Sequence, residues 1–125
     1  MYLSVKRCFH LMLRIKRVYE PPSEDDGYRI LVDRLWPRGL TKEKARLDEW
    51  MKDIAPSDEL RKWFAHEEDK WGEFKKRYFG ELKDKRQEVD NIKDRAKRGT
   101  VTLLYSTSSP LNNAVALKEF IEKIK

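Results

Sequence analysis

The chain has 125 residues, of which 39% are hydrophobic and 40% charged, and its formal net charge is +6. This length fits one compact domain and excludes most large-enzyme architectures. The single cysteine excludes a disulfide framework and a cysteine-rich zinc finger. No apolar run approaches the roughly 18 to 20 residues that span a bilayer, so we predict no membrane partner.

Positive charge is concentrated at the beginning of the chain. Residues 1–19 contain no acidic residue and five basic ones, namely Lys6, Arg7, Arg14, Lys16 and Arg17. Beyond them acids and bases nearly balance, so a basic first strand is the surface best suited to nucleic acid. Heavy use of Lys and Glu is also typical of the ion-pair networks of thermophilic proteins.

The first eleven residues have some features of an export signal. Lys6 and Arg7 precede a short apolar stretch, but His10 interrupts it and Arg14 follows directly. No small-residue cleavage site is present, so we predict a cytoplasmic protein. Met12 is an alternative start, which makes residues 1–11 an N-terminal extension of a single domain over residues 1–125.

Two strands are predicted near the beginning of the chain. Leu13–Tyr19 mixes apolar and basic residues, as in a half-exposed strand, and Tyr28–Leu35 is apolar enough for a central one. The eight residues between them are breakers and acids. They are fewer than a parallel crossover needs, so we do not expect direct parallel pairing, and the relative direction stays open.

The period becomes helical from Thr41 to Gly99. One predicted helix has an apolar face of Leu47, Trp50, Met51 and Ile54; a second, capped by Ser57, has Leu60, Trp63 and Phe64. A third stripe runs from Trp71 to Ala96, with an interruption expected at Gly80. The spacing of the tryptophans favours core packing over a stacking platform.

The chain ends with a third apolar strand and a last helix. Gly99 is a helix stop before the strand Val101–Tyr105, and Ser109 with Pro110 predicts the next helix start. These elements predict a small single-domain α/β fold, with a sheet of about three to four mostly parallel strands flanked by helices.

A turn is predicted directly after the central strand. Trp36 precedes proline and is therefore extended. Pro37 and Gly39 suit positions i+1 and i+3 of a type I turn, which places Arg38 at its tip.

This turn is the first candidate site. Arg34 and Trp36 share a strand face by period 2, so two guanidinium groups and an indole can converge on a planar or anionic ligand. Alternatively, Arg34 pairs with a helix carboxylate and Trp36 fills the core. Asp33 is a candidate acid–base group, and a structural role fits it at least as well.

The second candidate site follows the last strand. Residues 105–113 offer Tyr105, the hydroxyls from Ser106 to Ser109, and the amides of Asn112 and Asn113 near a helix start. Helix starts attract anions, although simple capping explains the same residues. If the central and last strands are parallel, both sites lie at the same carboxyl edge of the sheet, where α/β proteins bind ligands.

The motifs VDRLWPRG, APSDELRKWF and LLYS with NNAVALKEF resemble the YeaO-like family, domain of unknown function 488. The resemblance covers about residues 14 to 121. It implies an α/β fold, a small bacterial or archaeal cytoplasmic protein and no known reaction. Its motif residues fall on Arg34, Trp36, Pro37, Arg38, Gly39, Asn112 and Asn113. Relatives often carry a histidine or acids just before the asparagine pair, where this chain has Pro110 and Leu111.

Two functions of different class follow. In the first, the chain binds a small phosphate- or carboxylate-bearing ligand. This function is compatible both with an enzyme and with a binding protein. Arg34 and Arg38 clamp the ligand, Trp36 stacks, Ser106, Asn112 and Asn113 complete the pocket, and Asp33 or Tyr105 handles a proton. In the second, the basic first strand binds nucleic acid or protein. His10 and His66 stand alone, so we predict neither a metal nor a cofactor. The sequence does not predict the oligomeric state.

Overall fold

The computed structural model describes residues 11–124, so predictions that fall on Cys8 and His10 lie outside the described part. Its strands are β1 (Leu13–Arg17), β2 (Tyr28–Leu31), β3 (Glu49–Trp50) and β4 (Val101–Tyr105). Its helices are α1 (Lys42–Ala45), α2 (Asp58–Phe64), α3 (Trp71–Lys83), α4 (Arg86–Arg98) and α5 (Asn113–Lys123). The longest of these helices have 13 residues, which is shorter than a bilayer span.

The four strands form one parallel sheet in the order β1-β4-β2-β3. The predicted α/β class is therefore confirmed. Leu13 lies beside Val101, and Tyr28 lies on the other side of Val101, so β4 separates the first two strands. The two strands are therefore parallel without being neighbours, and residues 18–27 cross over β4 from the end of β1 to the start of β2 without an α-helix. The apolar runs of β2 and β4 are buried because helices or loops cover both faces.

The central strand is shorter than predicted. Pairing continues only to Val32, whose N–H donates to the Leu104 carbonyl at 3.0 Å, and β2 itself ends at Leu31. From Asp33 onward the chain leaves the sheet, so the predicted extension to Leu35 is wrong. The alternation of side chains that placed Arg34 and Trp36 on one strand face does not apply there.

The predicted helix over residues 47–54 is also wrong. Helix α1 stops at Arg46, whose φ is 47°, and the following residues pair with β2. The Arg29 N–H donates to the Asp48 carboxylate at 2.8 Å, and the Asp48 N–H donates to the Arg29 carbonyl at 2.9 Å. These tertiary hydrogen bonds override a helical apolar pattern and make Glu49–Trp50 an edge strand.

The remaining helix boundaries differ in two places. Ser57 caps α2 as predicted, with its hydroxyl accepting from the Leu60 N–H at 3.2 Å, and α4 ends before Gly99. The break between α3 and α4 lies at Asp84, not at Gly80. The last helix is capped by Asn112 rather than Ser109, because the Asn112 side chain accepts from the Val115 N–H at 3.0 Å.

A buried ion cluster fixes the loop before β2. Asp26 is 1% exposed and lies 2.5 Å from the Arg29 guanidinium and 3.0 Å from the Lys16 ammonium. Burial on its own would raise the pKa of Asp26, but hydrogen bonds from the Ser23 backbone, Lys16 and Arg29 hold it below its ordinary value. The charge therefore stabilises the fold at neutral pH.

The main core fills the space between the sheet and helices α2 to α5, and a smaller one lies on the other face, around Val18, Leu31 and Leu104. Trp63 and Trp71 pack partly buried against the main core, and Trp36 packs against the smaller one. Core packing is therefore confirmed for three tryptophans, whereas Trp50 is 36% exposed on the edge strand.

Candidate functional site

A cleft of about 970 Å³ opens at the carboxyl edge of the sheet. The ends of β1, β2 and β4 form its base, and the end of α2 with the start of α5 forms its sides. Its polar lining residues are Arg17, Tyr19, Asp33, Arg34, Trp36, Arg38, Arg61, Lys62, His66, Ser106, Thr107, Asn112 and Asn113. Because β2 and β4 are parallel, the two candidate segments meet here as expected.

The turn after β2 differs from the predicted type I turn. The Leu40 N–H donates to the Pro37 carbonyl at 3.3 Å, so Pro37 is the first residue and Gly39 the third. Gly39 has a φ of 76°, which glycine adopts without strain. The Tyr19 hydroxyl donates to the Arg38 carbonyl at 2.7 Å and ties this turn to the end of β1. The exposed Arg38 guanidinium has no hydrogen bond or ion pair within residues 11–124.

Arg34 lies beside a helix carboxylate, as one of the two interpretations predicted, and it also lines the cleft. Its Nε lies 3.9 Å from the Asp58 carboxylate on α2, and its Nη2 donates to the Ala55 carbonyl at 3.4 Å. The Nε atom is buried and has no hydrogen-bond partner in the described part of the chain. The guanidinium is thus attached to α2 and still lines the cleft.

Trp36 also has two roles. Its Nε1 donates to the Leu40 carbonyl at 2.6 Å, and its ring meets Trp50 edge to face at a centroid distance of 5.4 Å. The indole therefore anchors the turn to the smaller core and contributes apolar surface to the cleft.

Asp33 joins the ends of β2, β4 and α5. Its Oδ2 accepts from the Ser106 N–H at 2.9 Å and from the Ser106 hydroxyl at 2.8 Å. Its Oδ1 accepts from the Asn113 amide at 3.1 Å, and the same amide donates to the Val32 carbonyl at 2.9 Å. Burial raises the pKa of Asp33, and these hydrogen bonds offset part of the rise. The arrangement has the geometry of a structural junction.

The other predicted residues of the second segment are placed differently from one another. Asn112 is 2% exposed, and its Nδ2 donates to the Ser109 carbonyl at 3.0 Å while its oxygen caps α5. The Asn113 oxygen has no hydrogen bond within the described residues, and the side chain lines the cleft. Tyr105 packs partly buried against the main core and does not line the cleft.

The structure adds cationic groups that sequence reasoning did not place here. Arg17 donates from Nε to the Ser106 and Thr107 carbonyls at 3.0 and 3.1 Å. Arg61 and Lys62 come from α2, and His66 follows it. Ala65 and His66 both have positive φ, at 45° and 58°, which turns the chain sharply at the cleft wall. The sequence does place Arg17 in the first predicted strand, but only the parallel pairing of β1 with β4 brings it to this edge.

The predicted basic surface of β1 is largely engaged within the fold. Lys16 binds the buried Asp26 carboxylate, and Arg14 donates to the Asp25 carbonyl at 3.0 Å. Arg17 faces the cleft. The strand therefore presents no continuous row of unengaged cations.

Comparison with known proteins places this arrangement in a family. The chain is 45% identical over 113 residues to the uncharacterized protein YeaO of Escherichia coli (strain K12), an alignment that covers 90% of this chain and 98% of YeaO. Residues 12–124 match the family described as DUF488-N3i, inactive DUF488-N3 subclade. The chain belongs to the DUF488-N3i family. The resemblance to YeaO-like proteins is thereby confirmed.

Two further relatives match a shorter part of the chain. The chain is 50% identical over 72 residues to the uncharacterized protein Rv3073c of Mycobacterium tuberculosis (strain ATCC 25618 / H37Rv), which covers 58% of this chain and 61% of that protein. An uncharacterized protein of Mycobacterium bovis (strain ATCC BAA-935 / AF2122/97), Mb3100c, matches to the same extent. No solved structure matches significantly.

Residues 11–124 of this DUF488-N3i chain contain no group of three or more His, Cys, Asp or Glu side chains that could hold a metal ion. Among the described residues that line the cleft, Asp33 is the one carboxylate, and it accepts hydrogen bonds from Ser106 and Asn113. The cleft's chemistry is therefore that of hydrogen-bond donors and positive charge.

Proposed function

We propose that the cleft binds a small ligand bearing a phosphate or carboxylate group. The observation that carries this proposal is the charge of the lining, where Arg17, Arg34, Arg38, Arg61 and Lys62 face a single carboxylate, Asp33. Like charges brought together at one sheet edge repel one another, and an anion removes that repulsion. Such a cluster contributes little to the stability of the fold, whereas it suits the binding of an anion.

Different cations have different roles in this proposal. Arg38 and Lys62 have no ion pair or hydrogen bond among the described side chains and stay free to move onto a ligand. Arg34 and Arg61 share one carboxylate, Asp58, at 3.9 and 3.4 Å, so their combined charge is only half balanced. Arginine suits this task because its planar guanidinium donates two parallel hydrogen bonds to a phosphate or carboxylate.

Binding without a chemical step fits the two candidate catalytic residues best. Both Asp33 oxygens accept hydrogen bonds from the protein itself, and Tyr105 packs against the core. A general base needs a free acceptor within reach of the ligand, which neither residue provides. The family's description as an inactive subclade agrees with a binding role.

Binding of nucleic acid by the basic first strand has less support, because Lys16 and Arg14 are engaged with Asp26 and the Asp25 carbonyl.

The cytoplasm remains our proposed location, because a chain with one cysteine suits a reducing compartment. The i,i+4 ion pairs on the helices agree with the thermophile-like composition.

Thermal unfolding with added anions tests the proposal. Inorganic phosphate and citrate are titrated against the wild type and the double variant Arg38→Ala, Lys62→Ala. The control is Lys83→Ala, Arg98→Ala, which removes the same charge from exposed positions outside the cleft. A ligand at roughly 100 times its Kd adds about 2.7 kcal/mol, which raises the Tm by several degrees.

The cleft variant should lose most of this shift and the control should keep it. Equal shifts in all three proteins would mean that the anions act as bulk salts, and the proposal would be wrong. Stabilisation by a short DNA strand alone, unchanged in the cleft variant and abolished by salt, would transfer the function to another surface.

A further inference from the structure

The cleft is apolar as well as cationic. Phe64 and Phe74 line it with stacked rings whose centroids are 4.4 Å apart, and Ala55 and Pro56 continue this surface. A pocket for inorganic phosphate alone needs no such wall. The apolar lining indicates that the ligand carries an apolar body beside its charged group.

Exposed apolar side chains gather at the same edge. Four large ones are exposed within residues 11–124, namely Met12, Tyr19, Leu35 and Trp50. Leu35, which is 63% exposed, and Tyr19 line the cleft, and Trp50 touches the lining residue Trp36. Single exposed hydrophobic residues are ordinary, but a cluster around a cleft marks a binding surface.

The charge of the site favours a phosphate monoester over a carboxylate. The five Arg and Lys side chains of the lining face two carboxylates, Asp33 inside the cleft and Asp58 beside it, which leaves three positive charges. A carboxylate carries one negative charge, whereas a phosphate monoester carries nearly two at neutral pH and offers three acceptor oxygens. The dianion therefore balances this lining better.

Resting on the proposed function, we propose that the ligand is a phosphate monoester whose organic part also carries a planar ring, as in a nucleoside monophosphate, where the ribose joins the phosphate to the base. The cations hold the phosphate, and the ring lies against the apolar side chains of Leu35 and Trp36. Such a nucleotide can be free in solution or can be the 5′ end of a nucleic-acid strand. Both sources present the same chemistry to the cleft.

Isothermal titration with matched probes tests this inference. The probes are inorganic phosphate, ribose 5-phosphate, AMP and benzoate, with a ten-residue oligothymidylate that either carries or lacks a 5′-phosphate. Stacking a base is worth about 1–3 kcal/mol, so AMP should bind about 5- to 150-fold more tightly than ribose 5-phosphate. Benzoate should bind more weakly than AMP.

The variant Leu35→Ser separates the ring contact from the phosphate contact. Its side chain is exposed, so the fold does not depend on it, and Met12→Ser is the control at an exposed position outside the cleft. Leu35→Ser should weaken AMP roughly three- to tenfold and leave inorganic phosphate unchanged. Met12→Ser should change neither.

The outcomes are distinct. If no probe binds, the proposed function fails together with this inference. If phosphate and ribose 5-phosphate bind but AMP binds no more tightly, or benzoate matches AMP, only this inference is wrong. Equal binding of the oligothymidylate with and without its 5′-phosphate, at least as tight as that of AMP, also overturns it. Tighter binding of the phosphorylated strand than of AMP supports the inference with a strand end as ligand, and the reverse order supports it with a free nucleotide.

Discussion

Replacement of Asp33 by alanine removes the acceptor that joins the ends of β2, β4 and α5. Three hydrogen bonds disappear: two from Ser106, at 2.9 and 2.8 Å, and one from Asn113 at 3.1 Å. A bond of this kind contributes about 1 kcal/mol net in a site with partial access to water. The variant should therefore lose about 3 kcal/mol of unfolding free energy, which corresponds to a Tm about 10 °C lower for a domain of this size.

Urea denaturation followed by tryptophan fluorescence measures this loss, and Ser106→Ala is the companion variant. Ser106→Ala removes one of the three bonds and should cost about 1 kcal/mol. The two losses should not add in the double variant, because they share the Asp33–Ser106 contact. A loss below about 1 kcal/mol in Asp33→Ala, combined with lost anion binding, would refute the structural role and indicate that Asp33 acts on the ligand, as in the acid–base interpretation.

Three further predictions concern stability. Asp26→Asn should cost about 3 kcal/mol at pH 7, because it leaves the buried Arg29 guanidinium and the half-buried Lys16 ammonium without their carboxylate partner. Since the folded pKa of Asp26 lies below its unfolded value, this difference from wild type should shrink as the pH falls below about 4, and an unchanged gap in urea titrations at pH 7 and pH 3 would contradict it. Gly27→Ala should prevent stable folding, because a Cβ there would lie 2.2 Å from the Thr100 carbonyl oxygen and φ is +63°. Gly80 lies on α3 with open space around it, so Gly80→Ala should raise stability by about 1 kcal/mol in thermal melts. Asn112→Ala removes the cap of α5 and should cost about 1 kcal/mol, measured by urea denaturation, with Asn112→Asp expected to recover most of it.

Much of the sheet could be predicted, because a strand that is buried on both faces has a continuous apolar sequence. The runs Ile30–Val32 and Val101–Tyr105 are apolar at nearly every position, as central parallel strands require. Their parallel direction then brought the two candidate segments to one edge. The sequence leaves that direction conditional, and the structure brings Asp33, Arg34, Trp36, Asn112 and Asn113 into the lining of one cleft.

The errors arise where contacts distant in sequence decide the local structure. Residues 47–54 have a helical pattern, but Asp48 forms hydrogen bonds with the backbone of Arg29. The sequence around Asp48 does not predict this distant contact. Arg61 and Lys62 reach the cleft only because Leu60 and Phe64 fix α2 over the sheet. Such placement depends on tertiary packing, which a periodicity argument does not contain.

The position of β4 in the sheet determines when the sheet can fold during synthesis. β1 pairs only with β4 among residues 11–124, and the paired residues Leu13 and Val101 are separated by most of the chain. During synthesis β1 therefore has no partner strand until β4, which lies near the end of the chain, has emerged from the ribosome. Closing so long a loop is slow and makes the final association cooperative. A nascent chain released before residue 101 has neither the centre of its sheet nor a cleft, so truncated products should be unfolded and open to proteolysis rather than partly functional.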